Sequence, residues 1–168
     1  MGGALGSTYF QNRKYLADVN KLEYIIVEQD NFVNYGNKKI QNDVLKFMKT
    51  TDDWQICSKI DIVLMSGSLQ YIASYKEIII KILDLKPKFI VLDRILVGNR
   101  FRICKETVPD EIYKGSYPVM IYSENEIIHF FKSNYRLIEK DISSVPETAY
   151  FVDGKANSMY YVFQIKDN

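Results

Sequence analysis

The stretch ENEIIHFFKSNYRLIEKDISSVPETAYFVDGKANSMYYVFQI, residues 124–165, decides the fold. Glu124–Phe131 has helical spacing, with Ile127, Ile128 and Phe131 as its apolar face. Tyr135–Ile142 is β-rich, and so are Ala149–Val152 and Met159–Ile165. The last two runs are joined by Asp153-Gly154-Lys155-Ala156-Asn157-Ser158, a turn-type composition. A connection that short cannot make a parallel crossover, so the chain is predicted to end on a strand antiparallel to the others.

Upstream, strands and helices alternate. Tyr24-Ile25-Ile26-Val27 is a continuous apolar run closed by Glu28-Gln29-Asp30, the pattern of a strand buried on both faces. Ser7 is placed to cap a preceding helix with Tyr9, Phe10, Leu16 and Val19 on its inner side. Asn31–Gly36 reads as a short helix closed by Gly36, and Leu45–Met48 as a short edge strand. Ile60–Met65 is a second β-rich run, and Leu69, Ile72, Ile79, Ile82 and Leu83 set one helix over Leu69–Leu85. Phe89–Leu92 is a third strand. Residues 96–122, with Gly98, Pro109, Gly115 and Pro118 among tyrosines and arginines, read as an irregular insertion. The expected architecture is one α/β domain over residues 1–168, its sheet mostly parallel with a C-terminal antiparallel strand.

The totals narrow the function. Twenty-two basic residues against 21 acidic ones give a net charge of +1, without the basic excess of a dedicated nucleic-acid binder. His129 is the single histidine, which excludes a histidine-rich metal site, and its place beside Phe130-Phe131 suits a packed or surface role. Cys57 and Cys104 have no zinc or redox spacing and read as incidental thiols. No apolar run is long enough to span a bilayer, and Met1–Ser7 lacks the basic and apolar regions of a secretion signal. A soluble, cytoplasmic protein without membrane association is the expectation.

In an open α/β sheet, ligands sit beyond the carboxyl ends of the strands. Three features fall at that edge. Gly2-Gly3-Ala4-Leu5-Gly6-Ser7 precedes a helix, where glycines permit tight turns and close approach of a ligand. Glu28 follows Gly6 by 22 residues, at a strand end, where a carboxylate can accept both hydroxyls of a ribose. Ser66-Gly67-Ser68-Leu69-Gln70 ends the Ile60–Met65 strand. As the dinucleotide pattern G-x-G-x-x-G, Met1 stands in place of the first glycine. As the adenosylmethionine pattern G-x-G-x-G, Gly2 and Gly6 fit and Ala4 replaces the middle glycine. The reversed C-terminal strand favours the second.

Gly2–Tyr9 with Gln11-Asn12, Val27-Glu28-Gln29, Ser66–Ile72, Leu92-Asp93-Arg94, Val108-Pro109, Glu111-Ile112-Tyr113 and Ser116-Tyr117-Pro118 together resemble a little-characterised bacterial family of S-adenosylmethionine-dependent methyltransferases. The matches run in order over nearly the whole chain. The resemblance implies a Rossmann-like class I fold, S-adenosyl-L-methionine as methyl donor, and a small-molecule acceptor such as a surface glycan or another small polar metabolite. In that family a first strand ending in Asp-Phe precedes the glycines, and Met1 stands where the Phe would be. The chain is therefore expected to lack its own first strand, with one of three outcomes: the strands on either side of the gap pair directly, a segment of another copy fills it, or the chain self-associates broadly. Donor contacts are expected from Gly2, Gly3, Ala4, Gly6, Glu28, Gln29, Ser66, Gly67 and Leu69. Acceptor contacts are expected from Gln70, Tyr71, Arg94, Arg100, Tyr113 and Tyr117, with Arg94 suited to an anionic group. The competing readings are a non-catalytic Rossmann-like binding module and an NAD-dependent oxidoreductase.

Overall fold

Two apolar runs separated by one helix give the N-terminal part its form. The computed structural model describes residues 1–50, 59–112, 114–145, 147–151 and 153–167. The chain divides into two compact units, Met1–Ile56 and Cys57–Asn168.

In the first unit, α1 (Ser7–Leu16) leads to β1 (Tyr24–Glu28), α2 (Asp30–Lys39) and β2 (Leu45–Lys49). The two strands pair in parallel from Tyr24↔Leu45 to Glu28↔Lys49, with α2 as the crossover that a parallel pair requires. Ile26, Val33, Leu45 and Phe47 form its core, with Tyr9, Tyr24 and Ile40 packed at the margin. Three expectations are corrected. Of the Tyr24–Val27 run only Ile26 is buried, because a two-stranded ladder covers less of each strand than the middle of a broad sheet does. The residue capping α1 is Gly6, at φ 95°, and no side chain caps the helix. Gly36 does not close α2 but lies inside it: a Cβ there would sit 2.5 Å from Cδ1 of Phe47, so glycine is what lets the ring reach the helix. The helix stops at Ile40, whose amide, like that of Gln41, donates to the Gly36 carbonyl.

The second unit holds β3 (Ile62–Ser66), the 3-10 turn Leu69–Tyr71, α3 (Tyr75–Asp84), β4 (Phe89–Gly98), β5 (Arg102–Thr107), β6 (Ser116–Ser123), α4 (Glu124–Phe131), β7 (Tyr135–Ile142), β8 (Thr148–Phe151) and β9 (Gly154–Ile165). Strand β3 lies parallel to the first half of β4. Strand β9 runs antiparallel to both β4 and β7 and separates them. Strands β3, β4 and β7 thus share one direction and β9 is reversed, as the C-terminal pattern predicted. The hairpin joining β8 to β9 is tighter than predicted, since Phe151 already faces Gly154. Lys155–Ser158, assigned to the turn, belong to β9, where Ala156 and Ser158 are buried.

Residues 96–122 are mostly strand rather than irregular. Strand β4 continues to Gly98 and pairs there with β6, while β5 and β6 form an antiparallel hairpin. The alternation of β5 was masked because its half-buried face carries Arg102, Cys104 and Glu106, whereas Ile103 is exposed. Likewise the single helix expected over Leu69–Leu85 is interrupted: Ile72 takes an extended conformation (φ −98°, ψ 106°) between the 3-10 turn and α3. The core of this unit is rich in large side chains, with Tyr122, Tyr135, Tyr161, Phe131 and Phe163 fully buried. Helix α4 begins with a capping box in which Ser123 and Glu126 satisfy each other's backbone amides.

Two outcomes follow from this packing. Gly36→Ala gains about 1 kcal/mol of helix propensity but collides with Phe47, so urea denaturation should show a net loss of about 1–3 kcal/mol, relieved by adding Phe47→Leu. The Tyr135 hydroxyl donates to the Pro87 carbonyl at 3.0 Å, and burial pushes its pKa up to about 12. The stability it contributes is complete below the ordinary phenol value of about 10 and is lost as pH rises through about 12. Tyrosinate absorbance should contain a late-titrating component whose amplitude falls by one tyrosine in Tyr135→Phe; an unchanged amplitude in that variant would reject the assignment.

Candidate functional site

In the first unit, the glycine-rich segment and the end of β1 come together. Left-handed backbone at Gly2 (φ 69°), Ala4 (φ 47°) and Gly6 (φ 95°) coils Gly2–Gly6 back on itself, and the Gly6 amide donates to the Gly3 carbonyl at 2.9 Å. The Gly2 amide donates to the Val27 carbonyl at 3.1 Å, which lays the loop beside β1. Gly3 passes over Ile26 so closely that a Cβ would lie 3.2 Å from its Cγ2. The Glu28 carboxylate closes the loop: Oε1 accepts from the Ala4 amide at 3.1 Å and Oε2 from the Gln29 amide at 2.8 Å. A carboxylate has about four acceptor positions, and these two bonds occupy one on each oxygen. Beyond these two bonds each oxygen has one further position, a number that suits the paired hydroxyls of a ribose, while the Met1 ammonium also acts electrostatically on this carboxylate. Gly2, Gly3, Ala4, Gly6, Glu28 and Gln29 are thus gathered as the sequence suggested.

In the second unit, the carboxyl end of β3 and the bulge in the middle of β4 carry a linked polar group. Asp93 Oδ2 accepts from Ser66 Oγ at 2.8 Å, and Oδ1 accepts from Ser143 Oγ at 2.7 Å. Arg94 Nε donates to Ser66 Oγ at 3.2 Å, and the guanidinium lies over Gly67, where a Cβ would come within 3.1 Å of Nη2. Gly67 (φ 59°) and Arg94 (φ 53°) both have left-handed backbone, and the Gly67 amide donates to the Asp93 carbonyl. Arg94 therefore spends one N–H on Ser66, and its outer nitrogens make no hydrogen bond among the described residues. Leu69 is fully buried. Gln70 is buried too: its Nε2 donates to the Arg94 carbonyl at 2.9 Å, while its Oε1 has no partner among the described residues. A buried acceptor left in that state costs on the order of 1–3 kcal/mol.

Tyr71 and Tyr117 meet edge to face with ring centroids 5.4 Å apart. Their hydroxyls converge on Glu106, Tyr71 donating to Oε2 at 3.1 Å and Tyr117 to Oε1 at 3.3 Å. The two rings and Pro118 line an open, shallow depression of about 340 Å³. Burial and the Glu106 charge raise the pKa of both phenols, which keeps them protonated donors. Arg100 does not join this group; it pairs with Asp153 at 2.7 Å, alongside Arg102. Tyr113 lies outside the described residues. Glu106 and Ser143 were missed by sequence reading, because only the β5–β6 register, Glu106↔Tyr117, and the return of the chain after β7 bring them to their partners.

Among the described residues no group of three or more His, Cys, Asp or Glu side chains could hold a metal ion, and no helix is long and apolar enough to cross a membrane.

This fold recurs in solved structures of S-adenosylmethionine enzymes. The N-terminal domain of EvdMO1 with SAH bound superposes with a TM-score of 0.61 at 11% identity, over 98% of this chain and 72% of that one. A SAM-dependent methyltransferase from Methanosarcina mazei gives 0.60 at 11% identity, over 98% of this chain and 89% of its own. LepI in complex with SAM gives 0.57 at 11% identity over 99% of this chain, which spans 42% of the length of LepI. No protein-family model matches the sequence, and no curated protein matches it significantly. The chain has the Rossmann-like α/β fold of the class I methyltransferases, and at such identities the likeness is one of fold.

The Asp93 linkage is open to direct test. Asp93→Ala leaves the Ser66 and Ser143 hydroxyls without their acceptor and should lower stability by about 1–3 kcal/mol in urea denaturation, with Asp93→Asn losing less because its amide oxygen still accepts. An unchanged midpoint in the alanine variant would show that the carboxylate holds nothing together.

Proposed function

We propose that this protein binds S-adenosyl-L-methionine and takes part in methyl transfer to a small polar acceptor. The observation that carries the reading is the Glu28 carboxylate, anchored by two backbone amides at a strand end with one further acceptor position on each oxygen. Likeness to folds solved with SAM and SAH supports the same donor. In this reading Glu28 takes the ribose hydroxyls, and the Gly2–Gly6 loop gives the donor close access to the backbone. The bound donor would supply an electrophilic methyl group on a cationic sulfur. Displacement at that carbon needs alignment more than acid–base help, so the acceptor residues serve chiefly to hold and orient. Gln70, Tyr71, Arg94 and Tyr117 are the acceptor contacts proposed in the second unit. The reversed β9 favours this reading over a nicotinamide oxidoreductase.

Isothermal calorimetry with S-adenosylmethionine tests it. Glu28→Ala should weaken binding by about 1.5–3 kcal/mol, the scale of hydrogen bonds to a charged group. Tight binding of a dinucleotide with no heat from adenosylmethionine, or a Glu28→Ala variant binding as well as the parent, would overturn the proposal.

A further inference from the structure

Strand β5 and its partner β6 place an acid among aromatic rings. Glu106 stands directly across from Tyr117 in the β5–β6 ladder, and Tyr71 reaches the same carboxylate from the 3-10 turn after β3. Lys105 and Thr107, its neighbours in the strand, alternate to the other face. Among the described residues Glu106 forms no ion pair within 4 Å, and its carboxylate accepts from two neutral phenols. The charge of Glu147 also acts on Tyr71, adding to that of Glu106. Both residues remain partly accessible, Tyr71 at 42% and Tyr117 at 40%, and both border the depression with Pro118.

These features select a ligand by charge. A phenol that donates to a carboxylate shifts electron density into its ring, which strengthens the attraction of the ring face for a cation. A carboxylate already satisfied by two hydrogen-bond donors needs no further donor and still attracts positive charge. An anionic group would meet repulsion there. A neutral sugar could stack on the rings but would gain nothing from the charge.

We infer that Tyr71, Tyr117 and Glu106 form a recognition site for an alkylammonium group, so that the small molecule taken by the second unit is an organic cation. Calling that molecule the methyl acceptor rests on the proposed function; the binding of the ammonium group does not. The inference also separates two acceptor contacts that the sequence treated alike: Arg94 suits an anionic part of a ligand, and the tyrosine pair a cationic one.

The test uses the full chain without methyl donor, followed by NMR of the tyrosine ring signals. The probes are choline, its neutral isostere 3,3-dimethylbutan-1-ol, and glucose. Choline should shift the Tyr71 and Tyr117 signals and bind roughly tenfold or more tighter than the neutral isostere, the scale of a cation–π contact reinforced by charge. Glu106→Gln keeps an acceptor for the phenols and removes only the charge; it should abolish that preference while circular dichroism stays unchanged. Equal binding of choline and the isostere, stronger binding of glucose, or a charge preference surviving Glu106→Gln would each overturn the inference. If Glu106→Gln fails to fold, Tyr117→Leu replaces it, and retention of the choline preference there would overturn it equally. Because the donor is absent, the result is independent of calorimetry with adenosylmethionine, and either proposal can fail alone.

Discussion

Strand β4 must satisfy its backbone groups along one edge with two different partners, and the bulge at Asp93 and Arg94 makes this possible. Before the bulge β4 pairs with β3, after it with β6, while β9 follows the opposite edge with a register shift between Leu92 and Ile95. A bulge bends a strand and redirects its side chains. Here it aims Arg94 at Ser66 and Gly67, frees the Arg94 carbonyl for Gln70, and lets the β5–β6 hairpin bring Glu106 and Tyr117 to Tyr71. Asp93 fastens the bulge through Ser66 on one side and Ser143 on the other. Every candidate acceptor contact brought together in this unit depends on that one irregularity.

Glycine has two different uses in the first unit. Gly36 lets a ring approach a helix and contributes only packing. Gly2 and Gly6 take left-handed backbone and shape a loop whose closing group is a carboxylate. That carboxylate is a structural acceptor and, in the proposed function, also the group that meets the donor ribose. Under that proposal a substitution at Glu28 acts on the loop and on binding together.

Legibility in the sequence followed the source of each feature. Strands β1, β2, β4 and β7 were readable because their own apolar residues carry the signal, and the reversed β9 because a short connection excludes a parallel crossover. The gathering of Gly2–Gly6 at Glu28 was readable because loop and strand end lie close in sequence. The β5–β6 hairpin was not, since its half-buried face bears Arg102, Cys104 and Glu106 and inverts the usual alternation. Gly36 was misread because a glycine near a helix end looks like a stop signal until its neighbour in space, Phe47, is known. Glu106 and Ser143 gain their roles only through strand register, which a single sequence does not reveal. Arg100 looked like a ligand contact by composition, but Asp153 claims it.

Left-handed backbone at non-glycine residues marks where local strain is tolerated, and four such residues occur among those described: Ala4, Lys21, Lys86 and Arg94. Lys86 follows the end of α3 and precedes Pro87, a place where the chain reverses whatever its function. Lys21 lies in the turn that leads into β1. Ala4 and Arg94 are different: Ala4 lies in the loop closed by Glu28 at the end of β1, Arg94 at the bulge within β4, and each has its backbone claimed by a side chain. The conformation costs roughly 1–2 kcal/mol, whereas a hydrogen bond from the Ala4 amide to a carboxylate contributes about 1.5–3 kcal/mol. The balance at Ala4 is favourable by a small margin and rests on the charge of Glu28. At Arg94 the opposing bond, from a neutral amide to the Arg94 carbonyl, contributes only about 0.5–1.5 kcal/mol, so the remainder must come from the Ser66 contact and the strand pairing on either side. The strained residue of the loop is thus held by one charge, beside the backbone bonds of Gly2 and Gly6, and the bulge at Arg94 by the sheet itself.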